Sequence, residues 1–314
     1  MMRPFASKAM RVTAFVMKML LGVLFLVSAL SKLYDIDTFE MYVFTYGFFS
    51  LNMTFIVARL VIVAELLVAI GLLSNVWNKF VNICTLLMLV CFTLFLGYAA
   101  LIGRDESCQC MGPLVEFNPI QSILKNAVLL LWLLPVMRVQ PWKWRPKWYL
   151  WLPAIVLPIV AVFVYSAPDN WLFGPAEEVY NADKFDSAVA PEGDLAQYNL
   201  DEGRHVVAFV TPGCPFCKMA DEKLTYICRR NDLDSTLFLN LMPTKDTTVV
   251  DLTIDSTSFL RPTHEVPLMT WALITYGQRP IVFLVEDGKV SATCHYRNIS
   301  EQQIVDFLSP TSSN

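Results

Sequence analysis

Five long apolar stretches dominate the first half of the chain, at residues 12–33, 53–73, 80–102, 120–137 and 148–166. Each approaches or reaches the roughly 20 residues that an α-helix needs to cross the hydrocarbon core of a bilayer. In lipid a segment must satisfy its own backbone N–H and C=O groups, so stretches of this kind are restricted to helices. They predict a membrane α-helical bundle over residues 1–166. The fifth stretch carries Pro153 and Pro158, which membrane helices tolerate, and opens on Trp148, Tyr149 and Trp151, an interfacial aromatic belt. With 55% hydrophobic residues and a mean hydropathy of +0.47, the 314-residue chain is too apolar for a soluble protein.

Arg3, Lys8 and Arg11 precede the first stretch, as basic residues precede a secretory signal. The stretch is long enough to span, and no A-x-A-like cleavage site follows it, so an uncleaved first helix is expected. Orientation follows from the basic residues of the short loops. Lys79 lies between stretches two and three, and Arg138, Lys143, Arg145 and Lys147 between four and five. The alternate loops are poorer: 34–52 has Asp35, Asp37 and Glu40 and no Lys or Arg, and 103–119 sets Arg104 against Asp105, Glu106 and Glu116. The positive-inside rule places the N-terminus in the cytoplasm, and five spans place everything after residue 167 outside.

Residues 167–203 read as a linker with one or two short elements. A compact α/β pattern follows over 204–314. Strands are expected at 205–211, 236–241, 280–285 and 290–296, and helices at 216–230, around 264–276 and at 300–308. Asp287-Gly288 is the hairpin signal between the last two strands, and Ser300 is the N-cap of the closing helix. The net charge of −4 gives no electrostatic footprint for nucleic acid.

Cys214-Pro215-Phe216-Cys217 falls between the first of these strands and the first helix. A helix N-terminus offers free N–H donors and a positive dipole end, which stabilise a thiolate. Cys214 is therefore the nucleophile, and Cys217, about one turn on, is placed to resolve a mixed disulfide. A zinc site would need four ligands, and this domain has no second cysteine pair at suitable spacing, so no metal is expected. Cys108-Gln109-Cys110 is the second pair. A disulfide closed across one residue is a small strained ring and easily reduced, which suits a redox-active pair better than a staple. The orientation puts both pairs on one side of the membrane, where disulfides are permitted.

Glu65 lies near the middle of the second stretch. An intramembrane carboxylate usually faces the bundle interior or a cavity; the alternatives open for Glu65 are a proton carrier, a quinone contact and a hydrogen-bonded tie between helices. Lys32 and Arg59 are expected nearer the outer boundary, snorkelling. Cys84 and Cys91 share one face of the third stretch, too far apart to bridge. Cys228 and Cys294 are either paired or buried separately. His205, His264 and His295 lie outside the spans, which disfavours a haem-bearing subunit.

Two resemblances join these readings. The second half resembles a thioredoxin-like domain: Cys-Pro-Phe-Cys is similar to the Cys-Pro-Tyr-Cys of glutaredoxins, and Lys218 follows as in many thioredoxins. Pro280, opening the third strand, matches the cis-proline of that fold. The resemblance implies that Pro280 and the backbone of Arg279 meet substrate beside Pro215 and Phe216. Thioredoxins proper carry a buried Asp six residues before the first cysteine, and this position is Ala208 here. The first half resembles the MauE/DoxX-like membrane proteins: Gly22 to Leu33 (GVLFLVSALSKL), then Asp35 and Phe39, Glu65 to Gly71, and Cys108-Gln109-Cys110-Met111-Gly112 where that family commonly reads C-G-C-F-G. Gln109 and Met111 depart from the pattern, while the cysteines and Gly112 hold.

Together they imply a multi-pass protein of the bacterial inner membrane, with a four-helix MauE/DoxX-like bundle, a fifth transmembrane helix and a periplasmic thioredoxin-like domain. The function expected is thiol–disulfide oxidoreduction, with electrons relayed between Cys214/Cys217 and Cys108/Cys110. Partners would be extracytoplasmic protein thiols or disulfides and the lipid bilayer. No cofactor is required; a quinone is the one that the DoxX-like resemblance brings in. The alternative is an assembly or maturation factor, whose bundle docks a client while the redox domain keeps client cysteines in the right state.

Overall fold

The computed structural model describes residues 8–75, 77–102, 118–139, 151–168, 179–244 and 259–309. The chain divides into two compact units, Met1–Val43 with Thr54–Ala167 and Phe44–Met53 with Pro168–Asn314.

Six helices make up the described first half: α1 (Lys8–Tyr34), α2 (Ile36–Thr45), α3 (Leu51–Leu73), α4 (Asn78–Leu101), α5 (Pro119–Arg138) and α6 (Trp151–Tyr165). Four of them, α1, α3, α4 and α5, are long and apolar enough to cross a membrane, and they coincide with the first four apolar stretches. The fifth expected span begins at 148, outside the described residues. Its described helix covers about 22 Å at about 1.5 Å per residue, short of a hydrocarbon core of about 30 Å.

The bundle core joins Leu21 and Phe25 of α1, Val68, Ala69 and Leu72 of α3, Val81 and Leu89 of α4, and Leu133 and Val136 of α5. Two glycines set how closely these helices approach. A Cβ at Gly22 would fall 2.8 Å from the Leu73 side chain, and one at Gly71 would fall 2.8 Å from Val81, whose branched side chain has little freedom to yield. Both glycines lie within segments that carry the MauE/DoxX-like resemblance.

The segment 34–52, expected as a loop, contains α2. Phe39, Met41 and Tyr42 are buried, and Thr38 donates to Asp35 Oδ1 at 2.8 Å across the first turn. Asp37 and Glu40, which read as loop charge, ride on this helix, and Glu40 is itself buried.

The second half is built on a five-stranded mixed sheet: β1 (Arg204–Phe209), β2 (Phe238–Pro243), β3 (Thr263–Val266), β4 (Ile281–Glu286) and β5 (Lys289–His295), in the order β3-β2-β1-β4-β5. β1 and β2 are parallel and joined through α8 (Pro215–Arg230), and β1–β4 and β4–β5 are antiparallel. This is a thioredoxin-like arrangement, following a membrane helical bundle in the chain. Asp287 (φ 48°) and Gly288 (φ 79°) make the tight turn between β4 and β5. Ser300 caps α10 (Glu301–Leu308) by accepting from Gln303 N at 3.4 Å.

Strand alternation divides the domain's core. Val207, Phe209, Leu241, Phe283 and Val285 face α7 (Ala182–Val189) and α9 (Leu268–Thr275). Asn240 faces the other way and bonds to Asp221 of α8 at 2.7 Å, so α8 lies on the opposite face.

Two expectations are corrected here. The latter part of the expected linker belongs to the folded domain, because Phe185, Ala188, Val189, Leu195 and Leu200 are part of its core. The expected helix around 264–276 starts only at Leu268. Residues 263–266 form β3, paired in parallel with β2, and Pro267 separates the two elements. β3 is a short edge strand with His264 and Glu265 exposed, so it lacks the apolar alternation that would have marked it.

Candidate active site

The Cys-Pro-Phe-Cys segment sits where a strand hands over to a helix. The chain leaves β1 and passes through Gly213 at φ +72°, a left-handed conformation that glycine adopts freely. Cys214 is the N-cap of α8, with extended backbone, and its Sγ accepts from Cys217 N at 3.4 Å. Pro215 occupies the first helical position, where its missing N–H leaves no bond unmade. The result is a half-buried cysteine whose sulfur meets a backbone donor at a helix N-terminus.

Cys217 is its opposite. It is fully buried, and its sulfur lies 3.8 Å from Thr211 Oγ1. Burial, and then the neighbouring Cys214 sulfur, push its thiol up to about 12. Both cysteines are free thiols here. An accessible sulfur that can meet an outside disulfide, with a protected one a helical turn behind it, is the division of labour that thiol–disulfide exchange requires.

The Arg279–Pro280 peptide bond is cis, as the thioredoxin resemblance implies. Ile281 pairs with Phe209, so buried Pro280 lies at the end of β1 from which the cysteine segment departs. Arg279, Pro215 and Phe216 are exposed. The fold thus brings Cys214, Pro215, Phe216, Cys217 and Pro280 to one end of the sheet. Cys108 and Cys110 lie outside the described residues.

Sequence reading missed two neighbours of this site. Thr211 is the polar residue that closes an otherwise apolar strand run, three positions before Cys214, and that is a signal a reader could use. Tyr296 stacks on Phe216 with ring centroids 4.8 Å apart and planes inclined by 26°; eighty residues separate the two, and nothing local announces the pairing. Ala208 is fully buried and offers no acid. Asp221, one turn beyond Cys217, is buried too, but it accepts from Asn240, from the Leu260 N–H and from Arg261. It ties residues 260–261 to α8.

Cys228 and Cys294 are separate buried thiols, both pushed up by burial, Cys294 to about 11. Cys84 is half-buried against the bundle core, and Cys91 is exposed. Among the described residues no group of three or more His, Cys, Asp or Glu is placed to hold a metal.

Glu65 is buried within the first unit and tied to α1. Lys32 Nζ lies 2.5 Å from Glu65 Oε1 and donates to Ser28 Oγ at 2.8 Å, while Ser28 reaches both Glu65 oxygens at 3.3 and 3.4 Å. The rings of Phe39 and Phe92 stand 5.7 and 5.6 Å from the ammonium. Snorkelling is therefore the wrong description of Lys32, and equally of Arg59. Arg59 is buried, ion-paired with Glu40, and donates to the carbonyls of Phe55, Ser166 and Ala167. Both cations turn inward because a carboxylate on a neighbouring helix meets them there, a pairing that no single stretch of sequence displays.

Residues 10–139 match the family model described as Methylamine utilisation protein MauE. The first half is thus MauE-like, a membrane bundle joined to a thioredoxin-like part. Protein TlpB of Flavobacterium psychrophilum is 24% identical over 269 residues, covering 69% of this chain and 73% of that protein. No solved structure matches the chain.

Proposed function

We propose that this protein is a membrane-bound thiol–disulfide oxidoreductase whose client-facing centre is Cys214/Cys217 and whose electron partner is Cys108/Cys110. The observation that carries the reading is the asymmetry of the first pair: Cys214 is reachable at a helix N-terminus, and Cys217 is sealed one turn behind it.

In the reductive direction the Cys214 thiolate attacks one sulfur of a client disulfide. A Cys214–client disulfide forms and a client thiolate leaves. Cys217, once deprotonated, attacks the Cys214 sulfur, releasing the second client thiolate and closing the Cys214–Cys217 disulfide. The Cys108/Cys110 dithiol then reduces that disulfide by the same two-step exchange and becomes a disulfide itself. Each step is reversible, and the reduction potentials of the three pairs set which way electrons run.

The positive-inside pattern supports a cytoplasmic N-terminus in a bacterial inner membrane, with clients met in the periplasm. In this reading a quinone that took electrons from the bundle would meet Glu65 only by opening the buried Lys32–Glu65 pair. Following the absorbance of a soluble quinone analogue mixed with the reduced full-length protein tests that branch.

The relay itself is tested by trapping. The double variant Cys217→Ala, Cys110→Ala should accumulate a Cys214–Cys108 disulfide on mild oxidation, visible as a crosslinked peptide pair by mass spectrometry. Failure of all four single-cysteine pairings between the two motifs to crosslink would sink the relay.

A further inference from the structure

Phe216 stands inside the Cys-Pro-Phe-Cys segment with 43% of its surface exposed, although the Tyr296 ring covers one of its faces. Tyr296 is buried and held from several sides. Its hydroxyl accepts from Arg297 Nε at 2.7 Å, and the Arg297 guanidinium lies 5.3 Å from the ring centroid. Lys223 donates to the Tyr296 carbonyl at 2.9 Å with its ammonium 5.8 Å from the ring, and the His295 ring packs 4.4 Å away. Lys223 and Phe216 both belong to α8, so Tyr296 grips the helix that Cys214 begins at two points. The β4–β5 register pairs Ile281 with His295. Tyr296 follows His295 directly and so leaves β5 at the end of the sheet where Ile281 follows Pro280. Tyr296 thus joins the cysteine segment, through Phe216, to α8, through Lys223.

We propose that Tyr296 is a positioning residue that presents the free face of Phe216 as a docking surface for an apolar side chain next to the client cysteine. The inference rests on the oxidoreductase reading and names the client class: an extended segment in which an aromatic or aliphatic residue flanks the reacting cysteine. The physical reason is preorganisation. A ring already fixed on one face loses little freedom when a client covers the other, so contact with it is expressed as binding. A freely turning ring would have to be ordered first.

The test uses the full-length chain in detergent with Cys217→Ser, so that mixed disulfides on Cys214 accumulate. Two disulfide-containing peptides, differing only in Phe or Ser beside the cysteine, are compared by the rate of adduct formation, with the adduct located by peptide mapping. The Phe peptide should react about threefold to tenfold faster at low concentration, the range expected for an aromatic pair. The difference should lie in the half-saturating concentration and not in the maximal rate. Adding Tyr296→Ala or Phe216→Ala should bring the two peptides within twofold, and Tyr296→Phe should restore the preference. A preference that survives Phe216→Ala overturns the proposal, and this variant trims a half-exposed side chain, so it serves even if Tyr296→Ala does not fold. Equal rates for the two peptides on the parent protein also overturn it, while leaving the oxidoreductase reading intact. Reaction with neither peptide defeats that reading instead.

Discussion

The ion pairs of the helical bundle and the cysteine centre of the second half bury reactive groups in opposite ways. In the helical bundle, charges are sealed inside together with their counter-charges: Lys32 with Glu65, and Arg59 with Glu40. At the cysteine centre the sealed group is a thiol, Cys217, with the Thr211 hydroxyl 3.8 Å from its sulfur and no counter-charge among the causes of its shift. A buried ion pair is satisfied as it stands, and removing either member leaves an uncompensated charge. A buried neutral thiol is satisfied only while it keeps its proton. The first arrangement fixes helices to one another; the second holds a group that must change its protonation state to act.

Breaking one partner of the bundle pair should give the larger effect. Lys32→Met leaves the Glu65 carboxylate buried without its cation and should destabilise the protein by about 3–5 kcal/mol. The double variant Lys32→Met, Glu65→Met should recover most of that loss. The measurement is unfolding in detergent, arranged as a double-mutant cycle. A single variant as stable as the parent would mean that the pair does not hold the helices.

The thiol gives a smaller effect, graded with pH. Burial is the main cause of the shift at Cys217 and persists in the mixed disulfide. Between pH 7 and 9, well below about 12, the thiolate fraction rises about tenfold per pH unit, about 1.4 kcal/mol. Resolution of a Cys214–client disulfide should accelerate in step, and stopped-flow release of the second client thiolate reads it. A rate flat across that range would show that a nearby base takes the Cys217 proton. The same shift bears on stability with a definite sign. The folded-state value lies above the unfolded one, so the contribution is full below about pH 8.5, the usual cysteine value, and is lost as pH climbs towards about 12.

What the sequence revealed and what it hid follow one physical line. Local chemistry was legible: the four long spans, β1 and α8 about the cysteines, the Asp287-Gly288 turn and the Ser300 cap are each written in adjacent residues. The placement of Cys214 and Cys217 at the start of α8 was legible for the same reason. Partnerships across the fold were not. Glu40 read as loop charge because its partner Arg59 lies on another helix, and Tyr296 read as part of a strand because Phe216 is distant in sequence. β3 was hidden by brevity, and α7 by a segment whose apolar residues gain meaning only against the sheet.

The account's central claim is that the two cysteine pairs form one redox unit. The most direct test is the redox state of Cys214/Cys217 in growing cells, read by acid quench and alkylation, in the parent and in Cys108→Ala, Cys110→Ala. The account predicts that losing the bundle pair moves the Cys214/Cys217 pair towards one state, fully oxidised or fully reduced, with the direction showing which way electrons flow. An unchanged ratio of oxidised to reduced Cys214/Cys217 would contradict it.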